Sequence, residues 1–278
     1  MIKNILIPQD GSENAGAALE YGLWLARKFK AGLIGLHVVD VVALEGPFLH
    51  DLSGSLGFEP FLNFSTKMRE ALEARGKTII SAFEAACAKE GLACESSVGY
   101  GVVASEICDK ARLADLVILG RRGLNARFEY GLLGSTTEAV LRRSPKPVMV
   151  VPERFAGPKR PLLAYDGSPT ASRAMHSAAE WASAFDLPLT VVSVAAENEG
   201  DVAFLKDAEN YLKPYGVRAS FVPLKGDAPI AIERYCKDNG HDIVFMGASH
   251  HSRIVAMVLG STSEHVMRNV EVPFFLER

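Results

Sequence analysis

Short apolar runs alternate with longer stretches of helical spacing along the chain, and the whole alternation occurs twice. Lys3 to Ile7 reads as a buried strand. From Glu13 to Lys30 the apolar residues Ala17, Ala18, Tyr21, Trp24, Leu25 and Phe29 fall on one helical face. Ala31-Gly32 stops that helix, and Leu33 to Val39 is a second strand ending at Asp40. Helical spacing resumes from about Ser65 to Glu90. A strand over Leu92 to Val98, a helix over Ala104 to Leu113 and a strand over Asp115 to Leu119 follow. A helix from Ser135 to Arg143 and a short strand, Val148 to Val151, close the first round, with Ser144-Pro-Lys-Pro147 as the stop between them. After the polar linker Pro152 to Lys159 the plan restarts at Arg160. Strands are predicted at about 160–165, 189–194, 217–223, 242–246 and 272–276. Helices are predicted up to Phe185, over 202–212 and 229–236, and from Ser261.

Strands alternating with helices imply an open, mostly parallel sheet. The expected fold is therefore α/β, with two copies of a five-stranded sheet of order 3-2-1-4-5 and helices on both faces. The domains are expected at 1–152 and 160–278. Asp10 to Gly134 spans 124 positions and Asp166 to Gly260 spans 94, so the first copy carries 30 more residues. Most of them lie in an insert at about 41–63, rich in glycine and proline, which reads as a long irregular loop suited to a mobile flap. In a 3-2-1-4-5 sheet the fifth strand is an edge, and here both such edges are apolar. Exposed edges of that kind invite pairing. The two fifth strands are therefore expected to pair with each other, making the monomer an internal pseudo-dimer; a homodimer of chains is allowed but not required.

Composition removes several function classes. An apolar fraction of 48% and a net charge of −3 describe an ordinary globular protein with nothing that points to nucleic acid or an anionic membrane. No apolar run is long enough to span a bilayer, and the start of the chain lacks a signal-peptide shape. Cys87, Cys94, Cys108 and Cys236 show no metal or disulfide spacing and read as core residues. A reduced, cytoplasmic protein is the expectation.

The candidate chemistry lies where the fourth strand of each copy ends. Asp115 to Leu119 runs into Gly120-Arg-Arg-Gly123, and after a loop Gly134-Ser135-Thr136 opens a helix. Glycines there suit a sharp turn and close approach of a ligand, and a helix start suits a phosphate. A competing reading is a capping box, Ser135-Thr-Thr-Glu138, in which side chains satisfy the helix start themselves. Repetition favours the site: Asp242 to Gly247 leads to Gly260-Ser261-Thr-Ser-Glu264, and Asp10-Gly-Ser12 returns as Asp166-Gly-Ser168. In open parallel sheets ligands sit at the carboxyl ends of strands where strand order reverses. That rule puts Asp10, the Gly120 loop and Ser135 in one crevice.

Together and in order, Asp-Gly-Ser after the first strand, Leu36-His-Val-Val-Asp40, Gly-x-x-Gly followed by Gly-Ser, and Pro147-Val-Met-Val-Val151 resemble the universal stress proteins, here in tandem. The resemblance implies an adenine-nucleotide-binding domain, with ATP, with or without Mg2+, as the usual ligand. It implies adenine near Pro8, Asp10 and Val38, and ribose and phosphates on Gly120, Gly123, Gly134, Ser135 and Thr136. The matching second-copy positions are Asp166, Val194, Gly247, Gly260 and Ser261. Two departures stand out. The interval Leu124 to Leu133 is ten residues instead of nine, and His250 replaces the second glycine of copy two. The first copy, with all three glycines, is the expected binding copy. His250-His251 reads as an exposed polar loop, not a metal site, and no metal site is expected.

No P-loop, Gly-x-Ser-x-Gly elbow or His-Glu-x-x-His occurs. The expected function is an ATP-binding stress-response or signalling module without strong catalysis and with no catalytic residues. The alternatives are a slow ATPase, with Arg121, Arg122 and Arg127 steadying phosphate charge and Asp10 as base, or a nucleotide-free interaction protein.

Overall fold

The computed structural model describes residues 2–40, 61–124, 133–195, 201–248 and 260–278. Most of the 41–63 insert, Arg127, His250 and His251 lie outside the described residues. In chain order the first half comprises β1 (Asn4–Pro8), α1 (Glu13–Phe29), β2 (Gly32–Asp40), α2 (Phe61–Lys89), β3 (Cys94–Gly101), α3 (Val103–Ala111), β4 (Leu116–Gly120), α4 (Ser135–Arg143) and β5 (Val148–Val151). The second half comprises β6 (Pro161–Ala164), α5 (Pro169–Phe185), β7 (Leu189–Ala195), α6 (Asp201–Leu212), β8 (Ala219–Lys225), α7 (Ala228–Asp238), β9 (Ile243–Gly247), α8 (Ser261–Asn269) and β10 (Phe274–Glu277).

The sheet order is β3-β2-β1-β4-β5-β10-β9-β6-β7-β8, so each half has the expected 3-2-1-4-5 order and the halves join edge to edge. Neighbours are parallel except at the join, where Phe274 pairs with Val150, Phe275 with Met149 and Leu276 with Val148 in antiparallel register. The apolar edges thus cover each other.

Strand alternation sorts the core onto two faces. Ile5, Ile7, Ile118, Met149, Val151, Phe245 and Phe275 face α1, α2, α5 and α6. Leu6, Val117, Leu119, Val148, Val150, Phe274 and Leu276 face α3, α4, α7 and α8. Each face has its own bond between halves. On the first, Trp24 of α1 stacks on Phe185 of α5 with centroids 4.3 Å apart, and Trp181 is 5.7 Å from Trp24. On the second, Arg268 of α8 pairs with Glu138 of α4 at 2.5 Å and with Glu264 on its own helix at 2.9 Å.

Some boundaries differ from the sequence reading. The insert ends sooner, because α2 begins at Phe61 and takes in the residues to Asn63. Two strands lie further along the chain than expected, β3 reaching Gly101 and β8 reaching Lys225. In β3 the eight-residue parallel register with β2 supplies partners that local composition does not reveal. The carboxylate of Asp115, read as the first residue of β4, instead accepts from Lys3 N (2.8 Å) and Asn4 N (3.0 Å), tying down the start of β1. Asp242 does the same for Lys159 N (2.8 Å) and Arg160 N (2.6 Å) in the second half.

Candidate functional site

The first half has a cleft of about 320 Å3 at the carboxyl ends of β1, β2 and β4, where the strand order reverses. Each first-copy residue expected to hold the nucleotide lines it: Pro8, Asp10, Val38, Gly120, Gly123, Gly134, Ser135 and Thr136. Its apolar wall includes Leu36, Val38, Val103, Ile107 and Leu119. Its polar groups include Asp10, Asp40, Arg75 and Arg122.

Local chemistry fixes the end of β1. Gly11, at φ +82°, makes a turn that other residues rarely adopt. Asp10 Oδ1 accepts from Ser12 N at 2.9 Å, and Ser12 Oγ caps α1 by accepting from Ala15 N at 3.1 Å. Gln9 is buried, and its Nε2 donates to Ala15 O at 3.1 Å, locking strand to helix. His37 Nδ1 lies 2.7 Å from Gln9 O, so that nitrogen carries the proton. The His37 ring in turn sits against Gly76 of α2, where a Cβ would be 2.7 Å from Cδ2.

The end of β4 is tied to the start of α4. Gly134 N donates to Arg121 O at 2.8 Å, and Thr137 Oγ1 donates to Gly120 O at 2.9 Å. The second half repeats the hydroxyl clasp, with Ser263 Oγ donating to Gly247 O at 3.0 Å.

Three readings of this loop need correction. First, Gly120 and Gly123 are not turn glycines, since neither has a left-handed φ. Gly120 is required by packing, because a Cβ there would meet Asn14 Cβ of α1 at 2.6 Å. At Gly123 a Cβ would meet Asp10 Oδ2 at 2.8 Å. Second, the capping box does not form. Gly134 is the N-cap of α4 and has no side chain to cap it, while Glu138 pairs with Arg268. Third, Arg121 does not face the cleft. Its guanidinium crosses to the second half and donates to Met267 O (2.5 Å) and Val270 O, at the end of α8. A cation there complements the helix dipole. Burial pushes its pKa down, partly opposed by Glu271. Of the loop arginines that are described, Arg122 is the one at the cleft.

The sequence reading missed Arg75, Gln9, Leu72 and Ile107 as cleft residues. Arg75 and Leu72 lie on α2, far along the chain, and helical periodicity alone does not show which strand ends a helix overhangs. Gln9 was open to detection, since it adjoins Asp10.

In the second half Asp166 repeats the turn, Oδ1 accepting from Ser168 N at 2.9 Å, with Gly167 at φ +75°. Val194 lies in β7, Gly247 ends β9, Gly260 is the N-cap of α8 and Ser261 is its first residue. Gly247 packs as Gly120 does, a Cβ there meeting Ala171 N at 2.4 Å. A separate cleft of about 400 Å3, beside β8 and α7, includes none of these residues. Among the described residues no cluster of three or more His, Cys, Asp or Glu is placed to hold a metal, and no helix is long and apolar enough to cross a membrane.

Comparison with known proteins agrees with this architecture. The model of the universal stress protein family matches residues 1–152 and 195–276. A universal stress protein of Synechocystis sp. is 32% identical over 98% of both chains. The crystal structure of a universal stress protein from Archaeoglobus fulgidus superposes with a TM-score of 0.72 at 25% identity, covering 99% of this chain and 96% of its own. A structure of a universal stress protein from Pseudomonas aeruginosa, at 18% identity and TM-score 0.66, shares the fold over 99% of this chain and 93% of its own. With the family model matching most of the chain and a relative aligned over nearly all of it, the chain belongs to the universal stress protein family.

Proposed function

We propose that the first half binds an adenine nucleotide, ATP with or without Mg2+, and that the protein is a stress-response or signalling module without strong catalytic activity, acting in the cytoplasm. One observation carries the reading. Residues from separate stretches of chain, around Asp10, Val38, Gly120 and Ser135, converge on one cleft at the strand-order reversal. Its volume of about 320 Å3 lies at the lower end of the ~300–1,000 Å3 usual for small-ligand sites. The apolar wall of Leu36, Val38, Val103 and Ile107 suits a base. The start of α4 and the side chains of Arg75 and Arg122 suit phosphates. In this reading the domain units are 1–152 and 160–278, and the second copy, with Asp166, Val194, Gly247, Gly260 and Ser261, is the weaker site.

Hydrolysis is the second reading. Its candidate base, Asp10, already accepts two backbone N–H groups, from Ser12 and Leu124. Arg121, a candidate for phosphate charge, is committed to α8. Both points favour binding over turnover. Calorimetric titration of the intact chain with ATP tests the proposal. Saturable binding at one site is expected, and no heat at any ATP concentration up to the millimolar range would favour a nucleotide-free interaction protein.

A further inference from the structure

Asp10 is joined to the glycine loop by a contact that the nucleotide reading leaves unused. Its Oδ2 accepts from Leu124 N at 3.1 Å, while Oδ1 is held by Ser12 N in the turn after β1. The carboxylate therefore bridges the end of β1 and the loop after β4, Asp10 and Leu124 being 114 positions apart in the chain. Gly123 is shaped to this bridge. Its backbone is not left-handed, and among the described residues, its two chain neighbours aside, the one atom a Cβ there would meet within 4 Å is Asp10 Oδ2, at 2.8 Å. A Cβ at 123 would make the carboxylate shift from the place where it meets the loop.

Resting on the nucleotide reading of the cleft, we propose that Asp10 is a positioning residue: it clasps the glycine loop through Leu124, with Gly123 leaving the gap that the carboxylate fills, and does not read the base. The clasp holds the loop in place beside Gly134 before a ligand arrives, which removes part of the ordering cost of binding. It also gives a reason for the difference between copies. Counting three residues on from the strand-end glycine, as Gly123 is from Gly120, the second copy has His250 after Gly247. A Cβ at the first-copy position would crowd the clasp as it stands there.

The clasp can be broken with the turn intact. In Asp10→Asn the amide oxygen still accepts from Ser12 N, as asparagine does in such turns, but an NH2 then faces Leu124 N–H, donor against donor. Gly123→Ala reaches the same bond from the other side without backbone strain. Two measurements on the intact chain decide the matter. In nucleotide-free protein, each substitution is expected to speed amide exchange at Leu124 by about tenfold, the value of one charge-assisted hydrogen bond, and the double variant no further. In titrations, each is expected to weaken ATP and GTP by the same factor, leaving their ratio as in the parent. Unchanged exchange at Leu124 overturns the clasp. A collapse of the ATP-to-GTP ratio in Asp10→Asn alone makes Asp10 a base reader and overturns it too. If the parent binds neither nucleotide, the functional reading fails, and the exchange measurement still judges the clasp.

Discussion

Replacing Val150 by aspartate tests the join between the halves most severely. Val150 is fully buried, pairs with Phe274 of β10 across the antiparallel join, and faces the core under α4 and α8. Removing a buried valine side chain forfeits about 1.5–3 kcal/mol of apolar burial. An ionised carboxylate in its place, with no cation opposite it in the strand register, adds several kcal/mol more. The total, above about 5 kcal/mol, matches the whole stability of many domains. Val150→Ala is the control and loses only the apolar part. Urea melts at pH 7 should therefore show Val150→Asp far below Val150→Ala. The gap should narrow in acid. Burial raises the folded-state pKa of the new carboxyl above its unfolded value. The ionisation penalty is then absent below the unfolded pKa of about 3.9 and grows as pH rises towards the folded value. If Val150→Asp melts with Val150→Ala at pH 7, the edge is not shared and the ten-stranded sheet is wrong.

Two neighbouring arginines should behave oppositely. Arg121→Ala strips the donors from Met267 O and Val270 O and should cost about 2 kcal/mol in a urea melt. Arg122→Ala, at the cleft, should change stability by less than about 0.5 kcal/mol yet weaken nucleotide binding; equal effects of the two would contradict their assigned directions. Glu277 is buried, accepts from Ser177 Oγ at 2.5 Å, and has its pKa raised by burial. Its charge thus costs stability only as pH rises above the unfolded value, so Glu277→Gln should melt with the parent near pH 3.5 and above it at pH 8, and a gap independent of pH would refute this.

Much of this was legible in the sequence for physical reasons. Duplication of Asp-Gly-Ser and of strand, glycine and Gly-Ser exposed the two copies, and the apolar runs Val148 to Val151 and Phe274 to Leu276 announced edges that had to be covered. Side-chain direction was harder. Arg121 was a candidate for phosphate charge only under the slow-ATPase alternative. Alternation along β4 held the correction, since Val117 and Leu119 face α4 and α8 and Arg121 continues that parity. The sequence suggests turns and ligand access for the glycines, whereas Gly120 is fixed by Asn14 and Gly123 faces Asp10, contacts between distant segments that no local pattern encodes. Arg75 was missed because its place depends on how α2 crosses the sheet.

The central claim is that the first half holds the nucleotide at the start of α4. Gly134→Glu and Gly260→Glu each place a carboxylate where a phosphate would lie, one in each copy. Titrated with ATP beside the parent, Gly134→Glu should lose binding while Gly260→Glu retains most of it. Loss in Gly260→Glu with Gly134→Glu unaffected would contradict the account and move the site to the second half.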